Sequence, residues 1–404
     1  LTTVTACLGV TFQPAGATTI SPTTGTISTY AALPSPSDDY IALTVDPSGN
    51  LYAVDASSCD VIKIDAATQA SATISTNGSP WCSAAYNMTY AVLNGTPTLI
   101  IADYDNSAIY EVPVSGGPVV QVGSELYPDG LAYDAATDTL YIADFYSRNA
   151  PLWEMTSFSS CTNLSQCTAG QITTSGLGNA FGLYLEGNTL YTEAYGESSL
   201  LASVPTSGGT WTVNYDNVGS QDLYGSPGGD PWGNIYYADF DNNDVRILPA
   251  GQSSSSVLTL SGSPALYDAS AGPVYFNGAL YLVSYDSATF DSSIVKITLP
   301  VPPNAPTNVT ASAGNASATV SWTASSGATT YTVTASPGGA TCTATAPATT
   351  CTVTGLTNGT AYTFTVTATE IGFHGVGAAA SARRGALTSP KATTESTVAR
   401  SRVV

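Results

Sequence analysis

The sequence predicts an all-β chain in two parts, a six-bladed β-propeller over residues 18–300 and a β-sandwich over residues 307–389. Three observations predict it. Short segments of alternating apolar and polar residues recur from Leu51 through Leu99, Leu140, Leu190 and Ile235 to Leu280, at steps of 48, 41, 50, 45 and 45 residues. A period of about 40–50 residues holding four short strands is that of a propeller blade. A Pro-rich stretch, Leu299-Pro300-Val301-Pro302-Pro303-Asn304-Ala305-Pro306, then breaks the pattern. Beyond it clean alternation resumes, with Trp322 on the inward face.

The strands follow from alternation, because successive side chains of an extended chain face opposite sides. Residues 1–17 read as an N-terminal extension, and residues 18–30 as a turn and a final strand with no beginning. The second strands of the six units are centred on 51–55, 99–103, 140–144, 190–193, 235–239 and 280–283. First strands include 41–45, 130–133 and 181–185; third strands include 61–64, 108–112, 245–248 and 294–297. The last unit shows three strands before Pro300, so the N-terminal strand near Thr26–Tyr30 is expected to close the last blade as its fourth. Closure removes open sheet edges. Residues 301–306 form a short stiff linker. The sandwich strands include 318–322, 331–334, 350–353 and 362–367, and residues 390–404 are a polar, basic tail.

The stretch Gly233-Asn234-Ile235-Tyr236-Tyr237-Ala238-Asp239, with Asn242, Arg246 and Ile247 following, resembles the NHL repeat. As a set, the units resemble NHL- and YWTD-type six-bladed propellers; Glu193 and Ser284 stand where the pattern has Asp. Residues 307–389 resemble a bacterial fibronectin type III domain, which implies an immunoglobulin-like β-sandwich. Trp322 falls in its core, and Leu356-Thr357-Asn358-Gly359-Thr360-Ala361-Tyr362 matches its tyrosine-corner segment.

Only 9% of residues are charged, against an average near 25% for soluble domains. Thr, Ser, Ala, Gly and Tyr fill the surface, a composition suited to a secreted or cell-surface protein. The cysteines suggest disulfides Cys59–Cys82, Cys161–Cys167 and Cys342–Cys351, leaving Cys7 over. Seven Asn-X-Ser/Thr sequons begin at Asn77, Asn87, Asn94, Asn163, Asn308, Asn315 and Asn358, which matter where the source glycosylates. Residues 1–300 hold 27 of the 29 acids and four of the nine bases; the other five, Arg383, Arg384, Lys391, Arg400 and Arg402, crowd the C-terminus. An acidic body attracts such a segment and repels nucleic acid, whose phosphates need a basic surface. No apolar run is long enough to span a bilayer.

The acids follow the repeat. Those before first strands (Asp129, Asp222) and those after second strands (Asp55, Asp103, Asp144, Glu193, Asp239) are expected on one propeller rim. A local reading makes the Asp after strand two a turn cap. A second reading places calcium at Asp239, Asp241 and Asp244, since hard cations prefer carboxylate oxygen. A third makes the rim a docking face for a basic partner, with Asp129 and Asp222 opposing the basic C-terminal residues of another copy. The only histidine, His374, lies outside the propeller, so a Ser-His-Asp triad is not expected there, and virginiamycin-lyase-like propellers require a propeller His. Pro128-Asp129-Gly130-Leu131 occupies the place of a Pro-Asn-Gly-Leu segment in gluconolactonase-type propellers, and Asn179 and Asp222 would complete that site.

These features favour a non-catalytic extracellular structural or adhesive protein that self-assembles head to tail into a filament or surface array, by strand or basic-tail docking on a neighbour. Val398–Val404 would supply such a strand. The alternatives are a metal-dependent lactonase-like hydrolase and a monomeric carbohydrate- or protein-binding module, with exposed tyrosines such as Tyr104, Tyr146 and Tyr224 lining the surface.

Overall fold

A computed structural model describes residues 21–34, 40–55, 57–76, 85–124, 127–144, 152–161, 169–173, 179–195, 199–217, 225–239, 242–267, 269–286, 289, 291–300, 303–369, 373–374, 379–383 and 400–402. Two compact units emerge, residues 24–299 and a second unit comprising residues 1–23 with 300–404.

The first unit is a ring of six sheets, antiparallel apart from one parallel edge strand. Blade 1 is Tyr40–Val45, Leu51–Asp55, Asp60–Ile64 and Ser71–Thr76; blade 2 is Asn87–Leu93, Thr96–Asp103, Ala108–Pro113 and Val120–Ser124. Blade 3 is Pro128–Asp134, Thr139–Asp144, Leu152–Thr156 and Ala169–Gln171; blade 4 is Asn179–Glu186, Thr189–Tyr195, Ser199–Pro205 and Thr212–Asn217. Blade 5 is Gly228–Gly229, Ile235–Asp239, Asp244–Leu248 and Ser256–Val257. Blade 6 joins Ala269–Phe276, Ala279–Asp286 and Asp291–Thr298 to the N-terminal strand Thr24–Ala32.

That N-terminal strand closes the ring as the sequence predicts, pairing antiparallel with Thr26 opposite Thr298 and Ile27 opposite Ile297. One strand was not foreseen: Thr259–Ser263 leaves blade 5 and runs parallel along Thr24–Ala32, giving blade 6 a fifth strand. Ser21 and Pro22, inside the expected propeller range, pair instead with His374 and Phe373 of the second unit.

Apolar packing between blades completes the ring. Tyr52, Val54 and Ala42 of blade 1 pack with Met88, Leu99 and Ile101 of blade 2. Equivalent clusters join blades 2 and 3, 3 and 4, 4 and 5, and 5 and 6. The sixth joins Ala271, Tyr281 and Val283 to Leu43, Leu51 and Ala53, returning from blade 6 to blade 1. No blade buries both its faces alone, so the ring itself is the core.

A short motif braces two blades. Asp46-Pro47-Ser48-Gly49-Asn50-Leu51-Tyr52 recurs as Asp230-Pro231-Trp232-Gly233-Asn234-Ile235-Tyr236. Asp46 accepts the Ser48 N–H at 2.8 Å, the Asn50 N–H at 2.9 Å, the Asn50 amide at 2.8 Å and the Tyr52 hydroxyl at 3.0 Å. Asp230 accepts the same set from Trp232, Asn234 and Tyr236. Each Asn then reaches across the blade, to the Ala66 or Ala250 N–H.

Burial pushes both carboxyls up while the hydrogen bonds pull them down; the net is downward for Asp46 and upward for the deeper Asp230. A depressed carboxyl contributes stability above its unfolded value near 3.9 and loses it as pH falls through the folded value. Asp46→Ala strands four donors and is expected to cost about 2 kcal/mol at pH 7. That cost shrinks below about pH 4, as the wild-type carboxyl protonates. Urea unfolding at the two pH values measures it.

In the second unit, Thr307–Gly314, Ser317–Thr323 and Thr350–Thr354 face a sheet of Thr341–Thr345, Thr330–Ser336, Ala361–Thr369 and Ala379–Arg383. Trp322 is buried against Tyr331, with ring centroids 5.1 Å apart. The Tyr362 oxygen accepts the Thr357 N–H at 3.0 Å, tying the segment back on itself. Cys342 and Cys351 form a disulfide between the two sheets. Arg400–Arg402 pairs with Ala361 and Tyr362 of the same chain.

Candidate functional site

First strands begin and second strands end at the same end of each blade: Tyr40 pairs with Asp55, Pro128 with Asp144 and Phe181 with Glu193. The acids predicted on one rim are therefore brought to one end of the propeller. Most serve their own turns. Asp55 accepts the Ser57 N–H at 2.9 Å and its hydroxyl at 2.6 Å. Asp103 accepts the Asn106 N–H at 3.2 Å and amide at 2.7 Å. Asp239 accepts the Asn242 N–H at 3.2 Å and amide at 2.9 Å.

At the expected calcium position, the positive charge beside Asp239 belongs to Arg246, whose Nε lies 2.8 Å from Asp239 and 3.6 Å from Asp244. Burial raises the Asp244 carboxyl, Arg246 opposes it and Asp239 adds to it. Asp241 lies outside the described residues, and among those described no group of three His, Cys, Asp or Glu is placed to hold a metal.

Among the described residues, two buried acids on this end have no donor on either oxygen. Asp129 is 1% exposed and Glu193 is 0% exposed, and neither has a hydrogen-bond partner on either oxygen. Burial pushes both carboxyls well above the usual range, and at Glu193 the Asp239 charge adds to it. Glu193 lies three residues after Leu190, one position short of the capping Asp, which lies four after Leu51, Leu140 or Ile235; Ala194 takes the Asp position, and Glu193 faces the other side of the strand, where it is buried. The loop acid Asp222 lies outside the described residues, and of Asn179 only the backbone is described, paired with Tyr195.

Below this end the channel is narrow. A Cβ on Gly130 would meet the Gly182 carbonyl at 2.6 Å, and one on Gly182 (φ +54°) would meet the Ser226 Cα at 2.5 Å. Inner strands of blades 3, 4 and 5 thus touch backbone to backbone. Asn87 of blade 2 spans the axis: its amide nitrogen bonds to Ser226 beside blade 5, and its oxygen accepts the Leu131 N–H at 3.0 Å. Blades 2 and 5 stand opposite in a ring of six. Asn87 belongs to a sequon yet is 3% exposed, whereas the sequon residues Asn94, Asn308, Asn315 and Asn358 are exposed.

Aromatic residues at this end were only partly anticipated. Tyr86 and Tyr127 are each 41% exposed and Tyr267 is 43% exposed, each just before an inner strand. The signal was present in the sequence, where Tyr40, Tyr86, Tyr127, Tyr224 and Tyr267 precede their second strands by 11 or 13 residues. Tyr104 is half-buried, and Tyr146 and Tyr224 lie outside the described residues. Cys59 and Cys161 are both disulfide-bonded, and their expected partners Cys82 and Cys167 lie outside the described residues. Of the basic residues, Arg383 ends the strand Ala379–Arg383 and Arg400 and Arg402 lie on the sandwich edge, while Arg384 and Lys391 are outside the described residues.

Residues 304–381 match the family described as Fibronectin type III domain. The chain is a β-propeller joined to a fibronectin type III domain. No curated protein sequence matches it. Among solved structures it is similar to an auxiliary nutrient binding protein from Bacteroides thetaiotaomicron, at 14% identity and a TM-score of 0.51, over 70% of this chain and 76% of that one. It is also similar to the PQQ-bound aldose sugar dehydrogenase of Streptomyces coelicolor, at 13% identity and a TM-score of 0.48, over 69% of this chain and 99% of that one. A third is virginiamycin B lyase from Staphylococcus aureus, at 12% identity and a TM-score of 0.47, over 66% of this chain and 83% of that one. At 14% identity the likeness to the nutrient binding protein bears on the fold alone. No described helix is long and apolar enough to cross a membrane.

Proposed function

We propose that this protein is a non-catalytic extracellular structural or adhesive protein that binds further copies of itself head to tail. The basic C-terminal segment of one copy docks on the acid-rich end of the next propeller. A heterologous contact of this kind propagates into an open polymer rather than closing. The observation that carries the reading is the separation of charge: 27 acids against four bases in residues 1–300, and all five remaining bases between Arg383 and Arg402. Among the described residues Arg246 makes ion pairs with Asp239 and Asp244. Backbone pairing of Arg400–Arg402 on its own sandwich supports docking by charge, with the basic strand carried by its domain, over insertion of a loose strand into a neighbour.

An oxidising, extracellular setting is supported by the disulfide and the sparse charge. Calcium is not required by this reading, because Arg246 already sits between Asp239 and Asp244. The test is assembly of the intact chain. Replacing Arg383, Arg384, Lys391, Arg400 and Arg402 by Gln keeps the backbone pairing and removes the charge. Sedimentation velocity is expected to show polymers for the wild type, with or without chelator, and monomers for the variant. Equal assembly by both would refute the reading, and hydrolysis of sugar lactones abolished by chelator would favour the metal-dependent alternative.

A further inference from the structure

Between blades 2 and 3, the acidic end carries a group of side chains that the repeat does not require. Tyr86 and Tyr127, each 41% exposed, directly precede the inner strands Asn87–Leu93 and Pro128–Asp134. Tyr104 follows Asp103 on the adjoining turn, its ring centroid 5.7 Å from that of Tyr127 at an interplanar angle of 49°. Asp105 is exposed on the same turn. Asp129, buried and without a partner on either oxygen, lies close enough to this group to act on the Tyr86 phenol. Asp105 and Asp103 add to it, so that burial first and then these acids raise the Tyr86 hydroxyl.

Two costs stand together here. Large aromatic rings are left in water, and a carboxyl is buried with no donor, which is unfavourable unless a cation or a proton compensates. One ligand chemistry answers both. Tyrosine faces attract a cation through the ring quadrupole, and carboxylates around them supply the counter-charge. Tyr is also among the residues that carry most of the energy of protein interfaces.

We propose that Tyr86, Tyr104 and Tyr127, with Asp105 at the surface and Asp129 behind them, form the receptor for an arginine or lysine side chain of a basic protein segment. The cation lies against the tyrosine rings and Asp105 contacts it directly, while Asp129, buried behind them without a donor, gives up its proton as the cation arrives. This rests on the docking reading above and locates its decisive contact.

The probe is a synthetic peptide with the sequence of residues 390–404, titrated calorimetrically into the intact chain. Wild type is expected to bind it, and the peptide carrying Gln at Arg400 and Arg402 is not. Tyr86→Ala and Tyr127→Ala are each expected to weaken binding about tenfold, the scale of one lost cation–π contact. Tyr86→Phe, which keeps the ring, and Tyr267→Ala, which removes an exposed tyrosine of blade 6, are expected to stay within about twofold. Wild-type affinity in Tyr86→Ala and Tyr127→Ala, with binding still dependent on the peptide arginines, overturns the receptor and leaves charge docking standing. Absence of peptide binding to the wild type overturns the receptor, while loss of assembly in the intact chain carrying the five Gln substitutions separately tests charge docking. Displacement of the peptide by a neutral oligosaccharide but not by arginine amide would reassign the tyrosines to sugar binding and overturn the proposal.

Discussion

Gly182→Val is expected to lower the melting temperature of the propeller by roughly 10 °C or more. The reason is double. Gly182 has a φ of +54°, a region that costs a β-branched residue about 1–3 kcal/mol. Its new Cβ would also meet the Ser226 Cα at 2.5 Å and the Gly225 carbonyl oxygen, which are backbone atoms of the next blade. Relieving that contact means moving an inner strand whose other side already touches blade 6, at about 1–3 kcal/mol or more for overpacking. The sum takes a large share of a typical total of about 5–15 kcal/mol. Gly95→Ala is the control. Gly95 also has a positive φ, +81°, but nothing lies within 4 Å of its Cβ direction. It is expected to lose only the backbone part, about 1–2 kcal/mol. Equal melting shifts for the two would show that the inner strands are not in contact at Gly182.

Glu193→Gln is expected to stabilise the protein at pH 7 and to leave it nearly unchanged at pH 4. The Glu193 carboxyl is raised by burial and then by the Asp239 charge, and no donor relieves it. The folded state therefore holds a proton that the unfolded chain releases above its ordinary value of about 4.3. Stability from this group is fully present below that value and declines as pH rises, by up to about 1.4 kcal/mol per pH unit, until the folded value is reached. Glutamine mimics the protonated form at every pH. The variant should be more stable than wild type at pH 7, by a margin that shrinks as pH falls towards that ordinary value. Asp129→Asn is expected to act in the same direction, since Asp129 is also raised by burial without a partner. Chemical denaturation between pH 4 and 8 checks both. Parallel stability curves for wild type and Glu193→Gln would show that Glu193 is ionised in the folded protein.

The blade count was legible because second strands such as Leu51–Asp55 and Ile235–Asp239 repeat an apolar run ended by Asp. Closure by Thr24–Ala32 was legible because blade 6 lacked a fourth strand of its own. Other elements left no pattern to read. Gly228–Gly229 has no side chains to alternate, and Thr259–Ser263 is exposed along most of its length and carries a single core-packed apolar residue, Leu260, too few to make a pattern. At the candidate site, alternation placed the acids on one end but did not sort them. Asp239 lies four residues after Ile235 and Glu193 three after Leu190; one caps its turn and pairs with Arg246 while the other is buried without a donor. That difference follows from the one-residue offset, which turns the two side chains to opposite faces of their strands. The bracing role of Asp46 and Asp230 was written twice in the sequence, but a hydrogen-bond network between residues four and six apart has no periodic signature.

Sedimentation velocity of the intact chain as salt is raised tests the central claim most directly. Docking of a basic segment on an acidic propeller end should give polymers at about 20 mM salt that dissociate at about 500 mM, where charges more than a few ångströms apart are screened. The variant with Gln at Arg383, Arg384, Lys391, Arg400 and Arg402 should stay monomeric at both. A chain that sediments as a monomer at every salt concentration, or polymers indifferent to both salt and those five substitutions, would contradict it.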